Sequence, residues 1–190
     1  MPPALKPKSE VLAALTGCFR ALGYDGATLS RLSQATGLVR ASLYHHFPKG
    51  KQDMAQAVLD EVRRHCHTTV IAPLQARPPG RESLEAFARD VVVFYDRGHA
   101  ACLLEVFTLG SARELFGDTI QATLAALRAQ LSATLRAMGQ APPLAEQKAR
   151  QGVALIQGAL ILARGENNAE LFAQTMAELP DLLTADAPDG

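Results

Sequence analysis

The stretch Thr28–Lys51, TLSRLSQATGLVRASLYHHFPKGK, constrains the fold more than any other part of the chain. Thr28 is a good N-cap, because its hydroxyl can accept one of the backbone N–H groups left free in a helix's first turn. Leu29, Leu32 and Ala35 then give a short helix one apolar face through about Thr36. Gly37 can take the left-handed conformation that turns the chain sharply. A second short helix follows from about Arg40 to His46, and Pro48 and Gly50 break it. Leu29, Leu32, Ala35, Leu38 and Leu43 are expected to form the small core that sets the angle between the two helices.

A helix-turn-helix of this kind lays its second helix in the DNA major groove while the first braces it across the backbone. The residue types fit that task. Arg40, at the start of the reading helix, can grip a phosphate or present a fork to guanine. Ala41 and Ser42 are small enough to approach base edges, Ala41 against a thymine methyl and Ser42 by hydrogen bond. Tyr44 and His45 can donate to phosphates, and Lys49 and Lys51 stand where the chain leaves the groove. Base contacts would carry sequence information, and phosphate contacts would fix position. His46 reads as a packing or helix-end residue and Phe47 as core.

Charge is distributed to match. The chain is formally neutral, yet residues 1–67 hold nine basic and five acidic side chains, a net +4 that leaves −4 for the remainder. A basic head on an acidic body suits contact with a polyanion at one end. Ala and Leu dominate and β-branched runs are scarce, so the fold class is all-α. A first helix, capped at Ser9, should run to about Leu22 with Val11, Leu12, Leu15, Cys18, Phe19 and Leu22 in helical period. A fourth should span about Gln52 to Thr69. We expect an N-terminal helix-turn-helix domain over residues 1–50 and a helical ligand-binding and dimerisation domain over 51–190.

Thr28–Lys51 strongly resembles the DNA-binding head of the tetracycline-repressor-like (TetR) family. The resemblance rests on Thr28-Leu29, on Leu32-Ser33-Gln34-Ala35-Thr36-Gly37, and on Leu43-Tyr44-His45-His46-Phe47-Pro48 before Gly50-Lys51. It covers roughly residues 9–67, and implies a homodimer of all-α chains that represses transcription until a small ligand binds the C-terminal domain. By resemblance, Thr28, Arg40, Ser42, Tyr44, His45 and Lys51 fall where the family contacts DNA. The chain departs from the pattern at Val39, where a Ser or Thr often caps the reading helix; valine cannot cap by side chain. More faintly, Pro48-Lys49-Gly50-Lys51, Gly98 to Leu104 and Gly158 to Arg164 resemble the family's LmrA/YxaF-like subgroup.

Beyond the head, Pro73, Pro78, Pro79 and Gly80 mark the clearest break, followed by helices expected at about 82–96, 99–109, 112–138, 143–165 and 168–184. The fourth of these carries two apolar stripes: Val153, Ile156, Leu160 and Ala163, and Leu155, Ala159 and Leu162. A helix apolar on two faces is either central in its own domain or shared with a second chain. We expect the last two helices to pair with their symmetry mates as a four-helix bundle. Asn167 and Glu170 suggest a capping box for the last helix. An effector pocket is expected among Phe87, Val91, Phe94, Leu103, Glu105, Val106, Phe107, Leu127, Leu131 and Ile156, each of them also an ordinary core residue. Glu105 could orient a cationic or hydroxylated ligand.

Other chemistry is weakly represented. Three cysteines without paired spacing, and an N-terminus lacking an apolar run, suggest free thiols in a cytoplasmic protein. No apolar stretch approaches membrane-spanning length. His65-Cys66-His67 points three ways on a helix and makes a poor metal site, so no metal or cofactor is expected. No nucleophile–base pair, paired carboxylates or phosphate loop is evident, and we expect no catalytic residues. The expected partners are a double-stranded DNA operator, a small-molecule effector and a second copy of the chain, with no membrane. The rival reading is a small helical ligand carrier or enzyme without DNA function.

Overall fold

The computed structural model describes residues 6–185. Its elements in chain order are α1 (Lys8–Gly26), α2 (Leu29–Thr36), α3 (Arg40–His46), α4 (Lys51–Cys66), α5 (Ala72–Ala76), α6 (Arg81–Phe94), α7 (Leu103–Val106), α8 (Ser111–Ala137), α9 (Pro142–Gly165) and α10 (Ala169–Thr184). No strand occurs among the described residues, so the fold is all-α. The chain forms two compact units. One takes the described residues up to Arg63 with Leu103–Ile120, and the other Arg64–Cys102 with Gln121 onward.

The first unit is larger than residues 1–50 because its core recruits chain from far downstream. Phe19 and Tyr24 of α1 pack with Phe107 and Phe116, with ring centroids 5.5 to 6.2 Å apart. Val11, Leu15, Cys18 and Phe19 bury the α1 stripe that the periodicity indicates. The regular helix ends where the sequence suggests, at Gly23, whose φ 68° and ψ 177° are non-helical, and a further short turn carries the chain to Gly26. Asp25, at that far end, reaches forward to the start of α8. Its carboxylate accepts from the Ser111 backbone N–H at 3.0 Å and from the Ser111 hydroxyl. These bonds hold its pKa below the ordinary carboxylate value, the side-chain bond contributing most. A carboxylate at a helix N-terminus also meets the positive end of the dipole.

In the second unit, α10 packs against α6 and α9. Gly152 sits where α8, α9 and α10 meet: a Cβ there would lie 3.0 Å from Leu183 and 3.3 Å from Leu131. Lys148 is buried, and its ammonium donates to the Leu182 carbonyl at 2.8 Å. It thus satisfies a free carbonyl at the negative end of α10.

Several boundaries differ from the periodicity. The chain remains helical through Ala76, and the break lies between it and Arg81. Pro73 is accommodated by one wide π-type turn, His67–Ile71, after which α5 begins with the proline in its first turn, where no N–H is needed. The helix expected over 99–109 shrinks to Leu103–Val106, because Asp96, Arg97 and Gly98 all have positive φ and end α6 abruptly. Gly98 must be glycine: a Cβ would fall 2.8 Å from the Phe172 Cβ. The expected capping box on α10 is replaced by another arrangement. Asn167 takes the left-handed position, φ 51°, and Asn168 precedes the helix without a side-chain cap.

Candidate nucleic-acid interface

The corner between α2 and α3 is held by short-range hydrogen bonds. Thr28 caps α2 by accepting from the Arg31 N–H at 3.3 Å. Gly37 lies in the left-handed region at φ 66° and ψ 16°. Thr36 is buried. Its hydroxyl donates to the Leu32 carbonyl at 2.8 Å and accepts from the Leu38 N–H at 3.3 Å. The Ser33 hydroxyl donates to the Leu38 carbonyl at 2.5 Å, tying the turn back to α2. Lys6 donates to the Thr36 carbonyl at 2.6 Å, placing a cation at the C-terminal end of α2. The core beneath is Ala27, Leu32, Leu43 and Phe47, with Leu29 and Leu38 half-buried. Ala35, expected in that core, is exposed; the polar Thr36 takes the interior place because its hydroxyl is fully bonded.

With Leu43 and Phe47 pointing inward, α3 turns Arg40, Ala41, Tyr44 and His45 to solvent. These are two i, i+4 pairs on one continuous face. Ser42 and His46 are half-buried. The Tyr44 ring lies on Gly50: a Cβ at Gly50, φ 72°, would meet it at 3.2 Å. His45 stands edge-on to His46, with centroids 5.8 Å apart. Lys49 is exposed, and its backbone N–H donates to Asp53 at 3.4 Å at the start of α4. Lys51 is engaged differently: its ammonium lies 4.2 Å above the Tyr24 ring, a cation–π contact within the first unit. Any DNA contact by Lys51 must share that ammonium with Tyr24. Val39 has cap geometry, φ −67° and ψ 157°, but no side-chain cap.

The arrangement is a small-residue and basic face on a short helix, backed by two buried side chains and braced by a capped partner helix. Residues 11–58 match the family model described as bacterial regulatory proteins, tetR family. The chain is a DNA-binding transcriptional regulator whose head, residues 11–58, is of the TetR kind. Along 93% of its length it is 22% identical to the HTH-type transcriptional regulator LmrA of Bacillus subtilis, covering 96% of that protein. Over 57 residues it is 42% identical to the HTH-type transcriptional repressor AcnR of Corynebacterium efficiens, 30% of each chain. A TetR transcriptional regulator from Legionella pneumophila superposes with a TM-score of 0.78 at 18% identity, over 95% of this chain and 98% of that one.

The residues expected to contact an effector divide between the two units of the chain. Leu103, Glu105, Val106 and Phe107 belong to the first, and Phe87, Val91, Phe94, Leu127, Leu131 and Ile156 to the second. Phe87, Leu131 and Ile156 are packed as core. A cleft of about 480 Å³ between α6 and α10, lined by Ala88, Val92, Val93, Met176 and Pro180 among others, uses none of the ten. Cys102 is buried, and its sulfur accepts from the Tyr95 hydroxyl at 3.5 Å, which in turn accepts from Gln157 at 3.4 Å. Burial pushes the Cys66 thiol up to about 11, which disfavours a reactive thiolate. His65 stacks on Phe94 at 5.3 Å. Among the described residues no three metal-ligating side chains converge, and no helix is long and apolar enough to cross a membrane.

The sequence reading missed Asp25, Ser33, Thr36 and Lys6 as the residues that fix the head. Asp25 had only its turn-forming character to announce it, since its partner Ser111 lies 86 positions away. Ser33 and Thr36 did carry a signal: small hydroxyls beside a turn glycine commonly bond the turn's backbone.

Proposed function

We propose that this regulator is a cytoplasmic repressor that holds a double-stranded operator with the α3 helices of a homodimer and releases it when a small ligand binds the body. The observation that carries the reading is the exposed α3 face of Arg40, Ala41, Tyr44 and His45 over buried Leu43 and Phe47. In this reading Arg40 and Ala41 meet base edges, with Ser42 at their margin. Thr28, Tyr44, His45, Lys49 and Lys51 hold phosphates.

Dimerisation is supported by α9. Its first stripe, Val153, Ile156, Leu160 and Ala163, is buried within the chain, whereas Ile161 and Leu162 are each 53% exposed. With Leu155 and Gly158 half-buried beside them, they form an apolar face that a second copy's α9 and α10 would cover. Two linked heads read two half-sites, so a small change in their separation weakens binding steeply. A ligand acts on that separation only through better binding to the low-affinity state. The apolar side chains proposed to take it up in the second unit are Phe87, Val91, Phe94, Leu127, Leu131 and Ile156.

A mobility-shift titration on the DNA flanking the protein's own gene tests the reading. Wild type should bind at low salt. Arg40→Ala should weaken binding by about tenfold or more, as expected of a base-contacting arginine worth roughly 1–3 kcal/mol. Lys49→Ala should lower the slope of log affinity against log salt by about 1 per chain. Wild type that binds none of this DNA at low salt would refute the proposal.

A further inference from the structure

The body is acidic overall, yet one part of it concentrates positive charge. Between Asp118 and Glu146 the sequence has no acidic residue, while α8 carries Arg128 and Arg136 there. Neither arginine has an acid three or four positions away on its own helix. Both line a cleft of about 410 Å³ between α8 and α9, and Arg150 lines it from α9. Among the described residues none forms an ion pair with Arg128, Arg136 or Arg150. One acid, Glu146, shares the cleft, leaving three positive charges against one negative.

Ala125, Ala129, Ala133 and Ala149 also line the cleft. The first three recur every four residues, so their methyl groups form a smooth apolar strip along α8. Ser132 stands beside this strip. It is only 9% exposed, and among the described residues its hydroxyl has no hydrogen-bond partner. A hydroxyl that faces the cleft and has no such partner is free to bond a ligand. Arg128 and Arg136 are eight residues apart, which on an α-helix is about 12 Å along the axis. A compact anion would meet both only if the two long side chains folded toward each other, at a cost in side-chain entropy. An elongated one with charges at separated ends meets both without that cost, with its middle on the alanine strip and a polar atom on Ser132.

We propose that this cleft binds an elongated, metabolite-sized polyanion, phosphate- or carboxylate-bearing, gripped by Arg128, Arg136 and Arg150 with Ser132 as a hydrogen-bond partner. The arginine fork suits either kind of oxyanion. The site lies wholly within the second unit, uses none of the residues proposed above for an effector, and does not depend on DNA binding.

Isothermal titration calorimetry of the full chain, in a buffer free of phosphate and at low salt, tests it with tripolyphosphate, octanedioate and inorganic phosphate as probes. At least one extended anion should bind at one site per chain, at least tenfold tighter than inorganic phosphate. Tripolyphosphate alone would identify phosphate as the chemistry, and octanedioate alone carboxylate; either supports the site. Arg128→Gln and Arg136→Gln should each weaken binding tenfold or more without changing the helical circular dichroism. Ala129→Leu fills the strip without altering charge, and should weaken binding to a similar degree. The basic head is the competing location, so Arg40→Ala/Lys49→Ala should leave the titration unchanged. No binding by either extended anion would overturn the proposal. So would equal binding of inorganic phosphate, or loss of binding in the head variant with retention in the cleft variants.

Discussion

The start of α3 offers a direct test of how local capping and tertiary packing share the work of building the reading helix. Thr28 and Val39 occupy equivalent places, each the N-cap of a short helix. Their backbones are nearly identical, φ −69° and ψ 157° against φ −67° and ψ 157°. Thr28 uses that geometry to accept the Arg31 N–H, whereas Val39 makes no side-chain cap. Val39→Thr is close to isosteric, and Val39 is 67% exposed, so little packing is disturbed. The added hydroxyl should accept the Ser42 N–H. A cap of this kind contributes about 1 kcal/mol. If α3 opens locally, that corresponds to roughly fivefold slower hydrogen exchange at the Ala41 and Ser42 amides. If the chain unfolds as a unit, the same gain raises Tm by about 2–4 °C. Val39→Ala is the control, since it removes the branched side chain without adding an acceptor. Thr28→Ala should show the converse, losing about 1 kcal/mol. Indistinguishable exchange and Tm in Val39→Thr and Val39→Ala would refute the reasoning, because the backbone would then not be poised for a cap.

Two further outcomes follow from the same structure. The Asp25 pKa is depressed by its bonds to Ser111, so its stabilising effect is present above the ordinary carboxylate value of about 4 and is lost as pH falls through the lower folded value. The gap in urea midpoint between wild type and Asp25→Asn should therefore be steady near neutrality and shrink below about pH 4; a gap unchanged down to pH 3 would contradict it. Ile161→Glu places a carboxylate on the exposed α9 face and should convert a dimer to a monomer in sedimentation velocity at about 10 μM, with loss of the operator shift. A wild-type chain that is already monomeric there would remove the basis for the four-helix interface.

Much of the head was legible because its determinants are local. The Thr28 cap and the Gly37 turn are decided within a few residues, and Leu32 and Leu43 follow from helical period. Ala35 and Thr36 reversed their expected roles because hydropathy does not register that a threonine can bond its own helix while buried. In the body, the periodicity located α6, α8, α9 and α10 to within a few residues but overestimated the helix before α8. Three consecutive positive φ values at Asp96 to Gly98 have no hydrophobic signature. The two stripes of α9 were visible, yet only the packing separated buried Ala159 from exposed Leu162.

The sequence by itself determined the all-helical class, the helix-turn-helix and its outward residues, and the segregation of basic head from acidic body. These depend on propensity, capping and charge, which act over a few residues or on composition. The tertiary structure alone decided that Asp25 caps a helix 86 positions away and that Lys51 rests on Tyr24. It also decided that Arg128, Arg136 and Arg150 share one cleft with Ser132. Such pairings depend on which helix faces meet, and that is set by the packing of many side chains at once, not by any short stretch of the chain.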